Sequence, residues 1–387
     1  LKPQHTAVPF WRDVRVLTIL SQVVFILMLA VIAGFLYANL STAMRQRGLV
    51  ADLGFLALES GFEIGEGLIP YRPSDTYWRA YLVGVLNTLL VSGVGIVLAT
   101  ILGVLIGVAR LSTNWLVNRL AAVYIEIIRN TPLLVQLVFI YFGVFVPLPP
   151  VQESVELPAY IYANQRGLFM PKPVPSPSFV TWVLFFVAGI VAASFIWKFL
   201  APKTSRMLLP GLSALAILFF IPVLGWVWVG QSPLSLELPV RGRFNFTGGL
   251  TLSPEFSAVL IGLVVYTAGF IAEVVRAGIQ SVRRGQLEAA HSLGLSDMQI
   301  LQLVIFPQAM RVIVPPLTSQ YLNLAKNSSL AIAIGFPDLF SVSSTIANQT
   351  GQPVPVIMLV MATYLAMSLF TSLLMNIYNR RVQILEK

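Results

Sequence analysis

The side chains able to do chemistry in this 387-residue chain fall into three groups. In the first, Glu126 pairs with Arg129 and Glu273 with Arg276, each three residues apart. That spacing puts both members on one helical face, where they pair locally at a helix end or take part in a gate. In the second, Lys326, Asn327 and Ser328 interrupt an apolar run, with Gln320 and Asn323 upstream. Amides and an ammonium inside hydrocarbon are costly and face a cavity or a partner, unless the lysine snorkels to the interface. Asn87, Thr88 and Thr267 are further polar positions in apolar stretches, although a threonine there can simply bond its own helix. The third group is the stretch "EAAHSLGLSDMQILQLVIFPQ", 288–308, which carries both signs of charge. Covalent chemistry has no candidates. The chain has no cysteine, and its two histidines, His5 and His291, are far apart. No Gly-Lys-Ser/Thr phosphate loop, Gly-x-Ser-x-Gly elbow or zinc-helix motif occurs. No catalytic residue, metal ligand or cofactor is assigned to the chain.

The elements that must hold these groups are membrane helices. The chain is 57% hydrophobic and 11% charged, against roughly 25% charged in soluble domains. About eight runs satisfy the requirement of about 20 apolar residues per crossing. They cover 16–38, 81–109, 120–147, 180–198, 207–229, 256–280, 312–334 and 354–378. The expected class is an all-α polytopic membrane protein. Val14 to Leu40 is too long for a signal-peptide core and reads as a crossing. The third run holds Glu126, Arg129 and Pro132, so its first part belongs at the membrane boundary. The seventh holds Pro315, Pro316 and Lys326, so it is irregular or lines a cavity.

The formal net charge is +9, which on such a chain marks cytoplasmic loops rather than nucleic-acid binding. With the N-terminus inside and eight crossings, Lys2, Arg12, Arg110, Arg119, Arg129, Lys203, Arg206, Arg283, Arg284, Arg311 and Arg380 fall on the cytoplasmic side, as do both termini. Three outside segments are long. Residues 41–78 are mixed polar. Residues 148–178 hold seven prolines from Pro149 to Pro177 and are not expected to form a regular helix or central strand. Residues 230–254 show no clear pattern.

On this layout the stretch from Gln286 to Gln308 is cytoplasmic. Gln286 to Leu293 favours helix, and Gly294 suits the left-handed residue that ends one. Ser296 and Gln299 have capping-box spacing for a second helix, Asp297 suits its positive end, and Pro307 is expected to stop or kink it. The segment is either a solvated loop helix or a docking knob, with Ala289 and Ala290 allowing close approach and Glu288 available to a basic rim.

The order Glu288-Ala289-Ala290, three residues, Gly294, nine residues, Val304, one residue, Phe306-Pro307 resembles the signature loop of ABC importer permeases. Three further stretches resemble the polar amino-acid branch of that family. They are "EIIRNTPLLVQLVFIYFG" (126–143), "YTAGFIAEVVRAGIQSVRRGQLEAA" (266–290) and "KNSSLAIAIGFPDL" (326–339). With residues 87–112 they cover a five-helix type I permease core formed by 80–147 and 255–387. The additions, 1–79 with an extra span and 148–254 with two, resemble the longer permease of general L-amino-acid transporters. The resemblance implies a permease subunit of a bacterial inner-membrane importer for polar, acidic or a broad range of L-amino acids. It implies a second permease chain, two cytoplasmic ATPases that bind ATP and magnesium, and a periplasmic amino-acid-binding protein. It also makes the helix around Glu288 the element that couples to an ATPase, and keeps both Glu–Arg pairs as a cytoplasmic gate.

The alternative class is a secondary transporter working alone or a polytopic membrane enzyme. The first needs inverted repeats and an intramembrane acid for ion coupling, and neither is visible. One further pattern admits two readings. Gly95, Ala99, Gly103 and Gly107 recur every fourth residue, which suits close helix packing either within the subunit or between two permeases.

Overall fold

A computed structural model describes residues 14–46, 53–200 and 208–382. Lys2, Arg12, Lys203, Arg206 and both termini, which entered the charge argument, lie outside the described residues. Helices dominate, as the composition requires. They are α1 (Val14–Gln46), α2 (Tyr77–Ala109), α3 (Trp115–Asn130), α4 (Leu133–Val138), α5 (Phe179–Leu200), α6 (Leu208–Val229), α7 (Pro254–Gln280), α8 (Arg284–Ser292), α9 (Asp297–Ile300), α10 (Phe306–Asn327), α11 (Leu339–Thr350) and α12 (Pro353–Val382). Six crossings are long and apolar enough to span a membrane, and a seventh is obtained if α3 and the helix after it count as one. The expected run over 207–229 forms α6, whose apolar stretch Ser213–Val229 is shorter than the others among the described residues.

Packing centres on α7, which lies against α2, α3, α4 and α10. In hydrocarbon, close packing rather than release of water must hold helices together, and the small residues of α2 provide it. A Cβ on Gly107 would lie 2.7 Å from the Ala272 carbonyl oxygen, and one on Gly95 would lie 3.3 Å from Leu324 Cδ2. The stripe is therefore spent inside the subunit, on α7 and α10. Leu137, Leu263, Ile271 and Leu324 fill the same core without exposure. By contrast α1 buries nothing over Val16–Asn39, and α5 packs against α6 rather than on the core.

One helix breaks at the proline the sequence marks, and a second is irregular on either side of its prolines rather than at them. The axis turns by 105° between α3 and the helix that starts at Leu133. Pro132 caps that start, and the Gln136 side-chain amide donates to Ile128 O and Thr131 O, both at 3.0 Å, so the exposed end of α3 is satisfied. The crossing through α10 is more complex than a single run over 312–334. It begins at α9, passes a π-helical turn (Leu301–Ile305), continues straight through Pro315 and Pro316, and ends in a 3₁₀ turn (Ser328–Ile334). Pro307 does not stop the helix. Its missing N–H falls where the wider π turn has already displaced the hydrogen-bond register.

After left-handed Gly335, α11 runs back along α2, with Leu339 N donating to Thr88 Oγ1 and Tyr77 Oη donating to Gln349 Oε1. Sequence periodicity does not reveal α11.

Residues 148–178, expected to make no central strand, and residues 230–254 fold together, and the first supplies two central strands. β1 (Val155–Leu157), β2 (Ile161–Asn164) and β3 (Gly167–Met170) join β8 (Leu250–Leu252) in an antiparallel sheet of order β1-β2-β3-β8. β4 (Lys172–Pro175) pairs with β5 (Leu234–Glu237), and β6 (Val240–Arg241) with β7 (Phe246–Thr247). The prolines are compatible with this because they flank β1 to β3 or sit in β4, where a two-stranded ribbon has only edges. Phe169 stacks on Phe246 at 4.7 Å between centroids to make the small core of this cap.

Candidate transport path and coupling site

The π turn and α10 decide what the polar residues can do. Positions 312, 316, 319, 320, 323, 326 and 327 recur at helical spacing and share one face of α10. Ser319, Asn323 and Lys326 are exposed there, and Gln320 and Asn327 are half-buried. Lys326 takes part in no ion pair found among the described residues. Pro315 and Pro316 lack the N–H groups that would bond the carbonyls of Arg311 and Val312 in a regular helix. One face of a membrane-spanning helix thus carries an ammonium, three amides and a hydroxyl, with Ser319, Asn323 and Lys326 turned away from the subunit. Such a face is not stable against lipid and requires a polar cavity or a partner chain.

Three other candidates are not on this face. Ser328 is fully buried, and its Oγ donates to Ala325 O at 3.0 Å. Thr267 is buried within α7. Asn87 is 3% exposed, and its Nδ2 donates to Glu66 O and to Pro337 O, each at 2.9 Å. It ties segments together rather than lining an opening.

The two Glu–Arg pairs differ. Glu273 and Arg276 are joined by two hydrogen bonds, and Arg276 Nη1 also donates to Gln280 Oε1 at 2.7 Å. Glu126 and Arg129 do not pair. Glu126 is exposed, and the Arg129 guanidinium lies 5.3 Å from the centre of the Phe270 ring. The reason is the close contact of α3 with α7 at Gly269, where a Cβ would lie 3.0 Å from Ile128 Cγ2. This carries Arg129 across to α7, where the aromatic face receives the cation. Arg129, Phe270, Glu273, Pro316 and Gln320 then line one cavity of about 280 Å³. The structure therefore joins Arg129 and Glu273 to the polar face of α10, which sequence spacing alone does not do. Phe270 was not among the expected site residues, and no local pattern marks it.

The segment 286–300, the candidate for coupling, is built as its caps predict. Gly294 takes φ +75°, and Leu295 N donates back to Ala290 O at 3.3 Å, closing α8. Ser296 and Gln299 form a reciprocal capping box that opens α9. Ala290 is buried against the chain, whereas Glu288, Ala289, Leu293 and Met298 are exposed. Because α9 passes through the π turn directly into α10, exposed Met298 and the polar face lie on one continuous helical path, to which α8 is joined by the turn at Gly294.

Comparison with known proteins places these features in context. Residues 95–384 match the family described as binding-protein-dependent transport system inner membrane component. The chain is 44% identical over 368 residues to the general L-amino acid transport system permease protein AapQ of Rhizobium johnstonii, covering 94% of this chain and 92% of that protein. It is 38% identical over 411 residues to the glutamate/glutamine/aspartate/asparagine transport system permease protein BztB of Rhodobacter capsulatus, covering 97% and 96%.

Proposed function

The chain belongs to the inner-membrane components of binding-protein-dependent transport systems, and on that premise we propose the following part for it in transport. It is an amino-acid permease subunit of an ABC importer, with ATP hydrolysis supplied by separate subunits. The observation that carries the reading is the polar face of α10, where Ser319, Asn323 and Lys326 stay exposed among the described residues. A second permease presenting a similar face would enclose a polar path between the two, wide enough for a zwitterion that cannot cross bare hydrocarbon. The longer additions, 1–79 and 148–254, support a heterodimer in which the partner shares the core formed by 80–147 and 255–387. Glu288, Ala289, Ala290 and Gly294, with Pro307 behind them, receive the motion of an ATPase that binds ATP and magnesium. Arg129, Glu273 and Arg276 form the cytoplasmic gate, with Glu126 at its edge. A periplasmic binding protein delivers cargo to the outer face. The subunit sits in the bacterial inner membrane with both termini cytoplasmic.

Because the two relatives are named for general and for acidic or amide L-amino acids, cargo with a free carboxylate and a neutral or acidic side chain is expected, and Lys326 suits that charge. The test is to isolate the complex from membranes, identify its subunits, and measure which amino acids stimulate its ATP hydrolysis. Substrate movement in proteoliposomes holding this chain alone, without ATP, would replace the reading with a secondary transporter.

A further inference from the structure

The segment between α1 and α2 is folded over the outer end of the core. Phe62 packs against Tyr71 at 6.2 Å and against Tyr77 of α2 at 6.4 Å between centroids, in a cluster with Val342 and Ile346 of α11. Residues 60–70 form a strap anchored at both ends. At one end the Tyr71 hydroxyl donates to Phe62 O at 2.8 Å. At the other, Arg79 donates to Pro70 O from Nε at 2.9 Å and Nη2 at 2.6 Å. Between the anchors, Glu63, Gly65, Gly67 and Leu68 are exposed.

The middle of the strap is held by two polar ties. Asn87 donates one amide hydrogen to Glu66 O and the other to Pro337 O, in the break that precedes α11. That break is seated on α2 at Gly84, where a Cβ would lie 3.1 Å from Asp338 O. The second tie is the Glu66 carboxylate, which accepts a hydrogen bond from Ser253, the N-cap of α7. Together these ties close one side of a cavity of about 430 Å³, whose other walls include Glu255, Gly335, Ser341 and Thr345. Firm ends with an exposed middle held by two hydrogen bonds and by the close seat of Gly67 on Val83 leave a segment able to open locally.

We propose that residues 60–70 are an outer lid, latched by Glu66 on Ser253, which lifts to open the cavity between α7 and α11 during each transport cycle. Lifting exchanges the Glu66–Ser253 and Glu66–Asn87 bonds for water and leaves Asn87 on Pro337. Asn87 is thereby the positioning residue that links the lid to the end of the crossing that carries the polar face. The proposal rests on the transport reading above.

The absence of cysteine makes the test direct. In the assembled complex, Thr345→Cys should react slowly with a quaternary-ammonium methanethiosulfonate. It should react about ten-fold faster when Glu66→Ala is added, the shift expected from losing one charge-assisted hydrogen bond. Bridging Ile64→Cys to Thr345→Cys with a short bifunctional methanethiosulfonate should stop ATP-driven uptake, leave basal ATP hydrolysis in place, and be reversed by reductant. Uptake at the unbridged rate through the bridged complex overturns the lid and leaves the transport reading standing. Equal labelling with and without Glu66 also overturns it. An unbridged parent complex that shows no ATP-driven uptake of any amino acid removes the transport reading and the lid with it.

Discussion

Gly103 of α2 lies so close to Ile271 of α7 that a Cβ at 103 would sit 2.6 Å from both Ile271 Cβ and Cγ2. Real side chains do not approach that closely, so the two helices must separate if anything larger is placed there. Gly103→Val is expected to cost about 1–3 kcal/mol through overpacking and to lower the melting temperature of the detergent-solubilised subunit. Gly93→Ala, on the same helix with nothing within 4 Å of its Cβ position, is the control and should leave melting unchanged. Equal melting of the two variants would show that the stripe does not hold α2 on α7.

The open face of α10 makes a labelling prediction. Lys326 and Asn323 are exposed on the same face, one turn apart. Cysteines placed at either position should be protected from a charged thiol reagent by substrate, and modification should block uptake. Lys326→Ala should reduce uptake of acidic and neutral amino acids while the complex still assembles. Substrate-independent labelling at 326 with transport intact would mean that this lysine only anchors the helix at the interface.

In the coupling segment, backbone and surface can be separated. Gly294 adopts φ +75°, which a residue with a Cβ reaches only at a cost of about 1–2 kcal/mol. Gly294→Val should therefore loosen the turn between α8 and α9. Glu288→Arg touches no bond within the subunit that its exposure would suggest, and should leave the fold intact. Both are expected to reduce substrate-stimulated ATP hydrolysis, the first with a lowered melting temperature and the second without. Normal coupling in Glu288→Arg would remove this carboxylate from the docking surface.

The latch carries a pH dependence of definite sign. Burial raises the pKa of the Glu66 carboxyl above the ordinary glutamate value. The Ser253 hydrogen bond opposes that shift and neighbouring Glu255 adds to it. With the lid lifted, Glu66 is in water and regains its ordinary value. Protonation therefore favours the latched state, and that advantage is lost as pH rises through the raised pKa. Labelling of Thr345→Cys, taken relative to the same site in a Glu66→Gln background, should slow as pH falls from neutral toward the ordinary glutamate range. A ratio that does not change with pH would show that the Glu66 carboxyl is equally solvated in both states.

The cavity between Arg129 and Gln320 predicts unequal effects from two arginines. Arg276 is already bonded to Glu273 and Gln280, whereas Arg129 leans on Phe270 across the helix contact. Phe270→Leu should free Arg129 and raise ATP hydrolysis in the absence of substrate. Conservative change of Gln280 to Glu should not, because it lies outside the lining of the shared cavity. Unaltered basal hydrolysis in Phe270→Leu would argue that the Arg129–Phe270 contact is only packing.

What the sequence determined by itself was everything set by neighbours along the chain. Runs of apolar residues specify crossings because each helix satisfies its own backbone in hydrocarbon. Gly294, Ser296 and Gln299 specify the turn of the coupling segment because a cap bonds only residues three or four positions away. Pro132 marks the bend after α3 for the same local reason. The tertiary structure decided whatever depends on a partner far along the chain. Arg129 leaves Glu126 for Phe270 because α3 closes on Gly269. Asn87, polar within an apolar run and so a natural candidate for the path, is instead consumed by two carbonyls, one 21 residues before it and one 250 after it. The strands of the cap form because β3 meets β8 and β4 meets β5 across two intervening helices, pairings that alternation within either segment does not encode. The small residues of α2 were legible as a packing face, but only the assembled core could choose α7 as the surface they pack against, since a glycine specifies close approach and not what approaches it.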